Sequence, residues 1–306
     1  MRPSPRDKPQ RLTDALLRKW RLPDPAGEGS KEARGRVLVI AGAVEMPGAA
    51  ILASTAGLRA GAGKARVAIA EPVALAVATA VPELFVFGIG EGRRRNETLA
   101  AVVDSAITAD AVLIGSGMRD SKAIKSLLPR LLKIEKLRAL VIDATALPIA
   151  AKLLQDDDIE RGHIVLTPHA AEMATMMQLE ADEVSRDPHR VAREAAQRFG
   201  ATIVLKGAQT VICGATGSAY LNDRGNVGLA TAGSGDVLAG FISGLCARGA
   251  DPLQAAAWAV AVHARAGEVL ARRVGPVGYL AREILGEIPA LLGGTHFRYL
   301  SNHPSV

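Results

Sequence analysis

Aromatic residues are scarce: two Trp, three Tyr and five Phe make up 3% of the 306-residue chain. Proteins that grip single-stranded nucleic acid stack bases on aromatic platforms, and this chain has little to offer for that. Cysteine is nearly absent. Cys213 and Cys246 have no ligand-like spacing to each other or to histidine, so neither a disulfide framework nor a zinc site follows. Each reads as a small buried residue in a reducing compartment. There is no G-x-x-x-x-G-K-[ST] run, which excludes a Walker-type loop. There is also no strand-linked G-x-G-x-x-G with a downstream acid, so a dinucleotide-reducing Rossmann site is unsupported. No charge-free apolar stretch is long enough to span a bilayer. The most apolar one, residues 227–247, is broken by Asp236 and five glycines. The N-terminus is polar and basic, with no apolar core, and so is no secretory signal. The chain reads as cytoplasmic, with no membrane partner.

The net charge of +6 is unevenly spread. Residues 1–36 hold ten Lys/Arg and five Asp/Glu, and the remainder is close to neutral. A nucleic-acid groove needs clustered positive charge on the folded surface, so nucleic acid is not an expected partner. Pro3, Pro5, Pro9, Pro23 and Pro25 lie among these charges. Residues 1–30 therefore read as a basic, partly disordered arm, with a short helix over residues 13–20. Residues 31–295 read as one catalytic domain and 296–306 as a tail.

From Arg36 onward, short all-apolar runs alternate with helical stretches. Strands are predicted at residues 36–40, 66–70, 84–87, 111–114, 139–142, 164–166 and 203–205, with a hairpin over 211–221. Helices are predicted at about 47–60, 97–108, 121–134, 170–178, 187–199, 235–248, 252–272 and 279–290. Continuous apolar strands separated by helices imply an α/β fold, a mostly parallel sheet with helices on both faces.

Five predicted strand ends or their loops carry polar or glycine-rich residues. These are Gly115-Ser116-Gly117, Asp143, Thr167-Pro168-His169, Lys206-Gly207, and the loop Thr231-Ala232-Gly233-Ser234-Gly235-Asp236. The C-terminal ends of parallel strands share one edge, where ligands bind. In the last loop, Gly233 and Gly235 permit close backbone approach, and a helix starts at or near Gly235. Its unpaired N–H groups and the positive dipole end favour an anion. Asp236 beside that anion site reads as a base facing a substrate hydroxyl. The plainer role is a helix-capping acid. Lys206 reads equally as a phosphate contact or a solvated strand-end lysine. His169 reads as a substrate contact or a cap, Asp143 as a water-mediated metal ligand or a helix-capping acid, and His263 as a packing histidine.

Several segments together resemble one family. They are Arg36-Val37-Leu38-Val39-Ile40-Ala41-Gly42, Met46-Pro47-Gly48-Ala49-Ala50, Leu58-Arg59-Ala60-Gly61-Ala62-Gly63, Leu166-Thr167-Pro168-His169 with Glu172-Met173, Lys206-Gly207-Ala208 with Thr210, and Thr231 to Gly240. They occur in the order seen in the ADP-dependent NAD(P)H-hydrate dehydratases, and the resemblance covers roughly residues 22–292. It implies a ribokinase-like fold and a repair lyase. ADP would be the co-substrate, with ATP an open alternative, and Mg2+ the cofactor. The hydroxyl of hydrated NADH or NADPH would be phosphorylated and phosphate then eliminated, giving NAD(P)H, AMP and phosphate.

By position, the resemblance makes Asp236 the catalytic base and Gly233, Ser234 and Gly235 the anion hole. Ala49, Gly117, His169 and Asp236 would contact the hydrated cofactor. Lys206, Gly207, Ala208, Gln209, Thr210 and Gly235 would bind the nucleotide. No metal ligand is assigned. A homotetramer is the assembly that the resemblance suggests. The epimerase module often fused upstream in such proteins is expected to be missing, since 35 residues cannot form it.

The chain departs from the family pattern in three places. Asp143-Ala144-Thr145-Ala146-Leu147 replaces Asp-Ala-Asp-Ala-Leu, Gly115-Ser116-Gly117-Met118-Arg119 replaces a Gly-Pro-Gly-Leu-Gly run, and Asn226-Val227-Gly228 replaces Asn-Pro-Gly. Two other readings stand beside the dehydratase: a ribokinase-like kinase of a vitamin-precursor alcohol, and a nucleotide-binding module without turnover.

Overall fold

The computed structural model describes residues 8–24, 30–155 and 161–296. The predicted alternation is present. Strands β2 (Arg36–Ile40), β3 (Lys64–Ala70), β4 (Leu84–Ile89), β5 (Ala111–Ile114), β6 (Ala139–Ile142), β7 (Ile164–Leu166) and β8 (Thr202–Leu205) all pair in parallel. The hairpin β9 (Thr210–Cys213) and β10 (Ala219–Asn222) adds antiparallel pairs. A two-residue strand, β1 (Gln10–Arg11), closes one edge against β10. The sheet order is β1-β10-β9-β8-β7-β6-β5-β2-β3-β4.

Strand period two sends alternate residues to opposite faces. Val37, Val39, Leu113, Val141 and Val204 pack with one group of helices: α2 (Pro47–Arg59), α10 (Ser234–Ala247), α11 (Pro252–Arg273) and α12 (Ala281–His296). Their neighbours Leu38, Ile40, Val112, Ile114, Leu140 and Ile142 pack with α4 (Arg95–Ile107), α5 (Ser121–Leu131), α6 (Leu147–Leu153), α7 (Ala170–Met177), α8 (Ala181–Arg186) and α9 (Pro188–Phe199). A short helix α3 (Ala74–Ala80) adds Val77 to the first layer. The helices α3, α6 and α8 escape the periodicity because each is only 6–7 residues long.

The scarcity of large side chains has a direct structural use. A Cβ on Gly240 would lie 2.0 Å from the Ala53 carbonyl oxygen, and one on Gly244 would lie 2.5 Å from that of Gly57. Helices α10 and α2 therefore touch backbone to backbone, a spacing that only glycine permits. This approach anchors the N-terminus of α10 above the sheet edge.

The part of the arm that is described does not stand free. Thr13 caps helix α1 (Asp14–Lys19), and Leu12, Leu17 and Leu22 are buried. The Trp20 carbonyl accepts from Trp258 Nε1 at 2.7 Å and from Gln254 Nε2 at 3.3 Å. The Trp20 ring lies 5.2 Å from that of Tyr220. Three leucines spaced among the charges supply enough apolar surface to dock the segment, which a charge count does not reveal. Residues 1–7 and 25–29 of the arm, and the tail apart from His296, lie outside the described residues. Cys213 and Cys246 are both buried and unpaired. Among the described residues no helix is long and apolar enough to cross a membrane.

Leu17 is 1% exposed. Leu17→Ala should cost about 2–4 kcal/mol by removing buried methylenes and leaving a cavity. Denaturant titration checks this, and a loss below about 0.5 kcal/mol would mean that the segment contributes nothing to stability.

Candidate active site

The carboxyl ends of β5, β6, β7 and β8 bring Ser116, Asp143, Thr167 and Lys206 together. Asp143 is 3% exposed. It accepts hydrogen bonds from Ser116 Oγ at 2.8 Å, Thr167 Oγ1 at 2.7 Å and Lys206 Nζ at 3.1 Å. Three donors compensate the burial of one carboxylate. Neither reading of Asp143 made from the sequence anticipated this role as the partner of a lysine. The backbone here is tight: Ala144 has φ 47, and a Cβ on Gly115 would lie 2.0 Å from the Asp143 carbonyl oxygen.

Lys206 is drawn to a second acid, Glu172, at 3.9 Å. Burial alone would lower its pKa. Asp143, Glu172 and Asp236 together outweigh that and hold it above the usual lysine value. The ammonium faces the loop before α10, since a Cβ on Gly235 would lie 3.5 Å from Lys206 Nζ. Gly233 caps α10 with φ 88, a conformation that favours glycine. A side chain there would also strike Leu52 Cδ1 at 2.4 Å. Among the described residues the amides of Gly235 and Asp236 have no hydrogen-bond acceptor, whereas Ser234 donates to Thr231 O at 3.2 Å. A positive side chain and a helix N-terminus thus converge, an arrangement suited to a phosphate.

Asp236 sits in the first turn of α10. Burial, and then the charge of Asp143, push its pKa up to about 6, against the opposing pull of Lys206 and the Ser116 hydroxyl. The N-cap position of α10 is held by Gly233, so Asp236 is not the cap residue.

A cleft of about 820 Å³ opens beside this corner. His169, Lys206, Gly207, Ala208, Thr210, Ser234 and Gly235 line it, with Leu229, Leu238, Val260 and Ala264 as apolar wall. Asn222, Arg224 and Asn226 also line it, and none of them reads as a site residue from the sequence. Asn222 ends β10 and Arg224 follows it without a motif, while Asn226 belongs to the Asn226-Val227-Gly228 segment, which reads only as a departure from the family pattern. Gln209 is exposed and is not among the lining residues. His169 takes the capping role: its Nδ1 accepts from the Glu172 amide at 3.2 Å, while Glu172 Oε2 accepts from the His169 amide at 2.8 Å. It lines the cleft as well. Ala49, Gly117, Gly233 and Asp236 lie outside the cleft lining. Ala49 and Gly117 touch each other, since a Cβ on Gly117 would lie 2.3 Å from that of Ala49. His263 is buried, with Nε2 3.1 Å from both the hydroxyl and the carbonyl of Ser234. Among the described residues no group of three His, Cys, Asp or Glu is placed to hold a metal ion.

A mostly parallel sheet whose strand ends meet a glycine-rich helix N-terminus, a lysine and three acids places the chain among the ribokinase-like α/β enzymes. The chain superimposes on a ribokinase-like superfamily protein from Enterococcus faecalis with TM-score 0.82, at 27% identity and over 94% of this chain and 96% of that one. It superimposes on the Bacillus subtilis ADP/ATP-dependent NAD(P)H-hydrate dehydratase, co-crystallised with ATP and Mg2+, with TM-score 0.80, at 28% identity and over 94% and 99% of the two chains. In sequence it is 42% identical over 285 residues to the ADP-dependent (S)-NAD(P)H-hydrate dehydratase of Xanthomonas campestris pv. campestris, covering 92% of this chain and 95% of that protein. The family described as NAD(P)H-hydrate dehydratase matches residues 37–290, and the chain belongs to it.

The raised pKa of Asp236 has a consequence for stability. The protonated form is favoured in the fold, so this group's stabilising contribution is complete below pH 4 and is lost as pH rises through about 6. At pH 8 the charged carboxylate is a net cost. Asp236→Asn should therefore be more stable than wild type at pH 8, by on the order of 2 kcal/mol, with the gap closing by pH 4. Denaturant titrations at the two pH values check this. A destabilised Asn variant at pH 8 would show that the charge is well compensated.

Proposed function

We propose that the protein repairs hydrated NADH and NADPH, using ADP to drive their dehydration. The observation that carries this reading is the meeting of Lys206 Nζ with the bare amides at Gly235 and Asp236, and with the charge of the Asp236 carboxylate, which lies just outside the cleft lining. Family membership supports these substrates, and this corner supports the chemistry.

In this reading ADP lies in the cleft, its nucleoside along the apolar wall and its terminal phosphate at the α10 turn. Gly207, Ala208 and Thr210 flank it, with Gln209 at the rim. The hydrated ring approaches from the side of Ala49, Gly117 and His169. Asp236 takes the proton of the ring hydroxyl, whose oxygen then attacks the terminal phosphorus. The bond to the bridging oxygen breaks and AMP departs. The ring nitrogen lone pair next expels phosphate as the C–O bond breaks, and loss of a proton from the neighbouring carbon restores the double bond. The amides of the turn and Lys206 stabilise charge on the phosphoryl oxygens.

Magnesium, when bound, supplies neutralising charge for the phosphates. Among the described residues none form a protein cage for it. Asp143 is committed to Ser116, Thr167 and Lys206, and Glu172 to the His169 amide. The cation would be held mainly by nucleotide phosphates, its common mode of binding.

Incubation with NADHX, ADP and magnesium should restore the absorbance of the reduced ring, with ATP as the second donor to try. No recovery with either nucleotide, from folded protein, would remove the proposal. Asp236→Asn should lower turnover by roughly 10² or more while ADP affinity stays within a few-fold. Lys206→Ala should weaken ADP binding, as calorimetry would show. Wild-type turnover should fall about tenfold per pH unit below pH 6, as the Asp236 carboxylate takes up its proton. A rate that stays flat from pH 7 to pH 5 would show that another group takes the proton.

A further inference from the structure

Among the buried titratable groups that the proposed reaction leaves unused is a histidine. His263 lies in the middle of α11, 8% exposed, directly behind the α10 turn. Its Nε2 is 3.1 Å from the Ser234 carbonyl oxygen and 3.1 Å from Ser234 Oγ. A carbonyl oxygen can only accept, so a hydrogen bond to Ser234 O assigns the proton to Nε2. The hydroxyl oxygen then shares that proton as a second acceptor and cannot donate back. Burial pushes the His263 pKa down to about 4, and nearby Lys206 adds to this against the Ser234 carbonyl. The ring is neutral at working pH, and its tautomer is set by the carbonyl. Ser234 keeps its own hydroxyl proton, which has no acceptor among the described residues, and Ser234 lines the cleft.

We propose that His263 is a positioning residue for phosphoryl transfer: by donating Nε2–H to Ser234 it fixes the turn and directs the Ser234 hydroxyl proton to the phosphate of the nucleoside diphosphate. This inference rests on the proposed reaction and adds one donor to its anion site. The histidine lines the cleft behind Ser234, and the role assigned to it here runs through Ser234. A hydrogen bond to a charged phosphoryl oxygen is stronger than one to a neutral acceptor, so its loss is readable in the rate.

Three variants test it. His263→Leu fills the space without a donor. His263→Gln keeps an N–H at similar reach. Ser234→Ala removes the hydroxyl. His263→Leu and Ser234→Ala should each lower kcat about tenfold or more, with the Kd for ADP changed less than about threefold. His263→Gln should recover most of the rate. The double variant His263→Leu/Ser234→Ala should be no slower than the slower single one, because both interrupt one path. In wild type, 15N-resolved NMR of the ring should report the neutral Nε2–H tautomer from pH 6 to 8. Multiplicative losses, unchanged kcat in folded His263→Leu, no recovery with Gln, or the Nδ1–H tautomer would each overturn the inference and leave His263 as packing. If wild type binds ADP but turns over no hydrate, the proposed reaction fails separately. The 31P shift of the bound terminal phosphate then decides the inference: Ser234→Ala and His263→Leu should move it alike and His263→Gln should not, and any other pattern refutes it.

Discussion

The ion pair between Lys206 and Asp143 is the constraint on which the site depends. It joins the ends of β8 and β6 across the intervening strand β7, whose following residue, Thr167, adds a hydrogen bond to the same carboxylate. Removing one member of a buried pair leaves the other uncompensated, which is far costlier than losing a surface bridge. The pair also fixes the electrostatics around it. Lys206 is held charged against the α10 turn, and the Asp143 charge helps keep Asp236 a weaker acid than a solvated carboxylate. In the proposed reaction, one arrangement thus serves both the phosphate contact and a base whose pKa lies nearer neutrality.

That arrangement works only because α10 starts where it does. Gly240 and Gly244 let α10 lie backbone to backbone on α2, and α2 carries Ala49 at its N-terminal end and Leu52 against Gly233. Small residues in the helix pair therefore position the α10 turn, where the phosphate is proposed to bind, and the side from which the ring is proposed to approach. An alanine- and glycine-rich, aromatic-poor composition is the sequence-level trace of this close packing.

The sheet and most helices could be read from the sequence because all-apolar strands and long amphipathic periods are local signals. The strand ends could be read for the same reason: each polar residue follows its apolar run directly. The Ser116–Asp143–Thr167–Lys206 network could not, because its members come from four different strand ends and only strand order makes them neighbours. Nor could the docking of residues 8–24 on α11, which rests on contacts such as Trp20 to Trp258, more than two hundred residues apart. Gln209 is exposed. Its neighbours Ala208 and Thr210 line the cleft, and it does not.

The central claim is that the terminal phosphate of ADP sits on the α10 turn within reach of Lys206 and beside Asp236. A crystal structure of the protein soaked with ADP and magnesium tests it most directly. The account predicts the terminal phosphate within hydrogen-bonding distance of the Gly235 amide and Lys206 Nζ, with the Asp236 carboxylate facing the open side of that phosphorus. A terminal phosphate bound elsewhere, with Lys206 engaged only by Asp143 and Glu172, would contradict it.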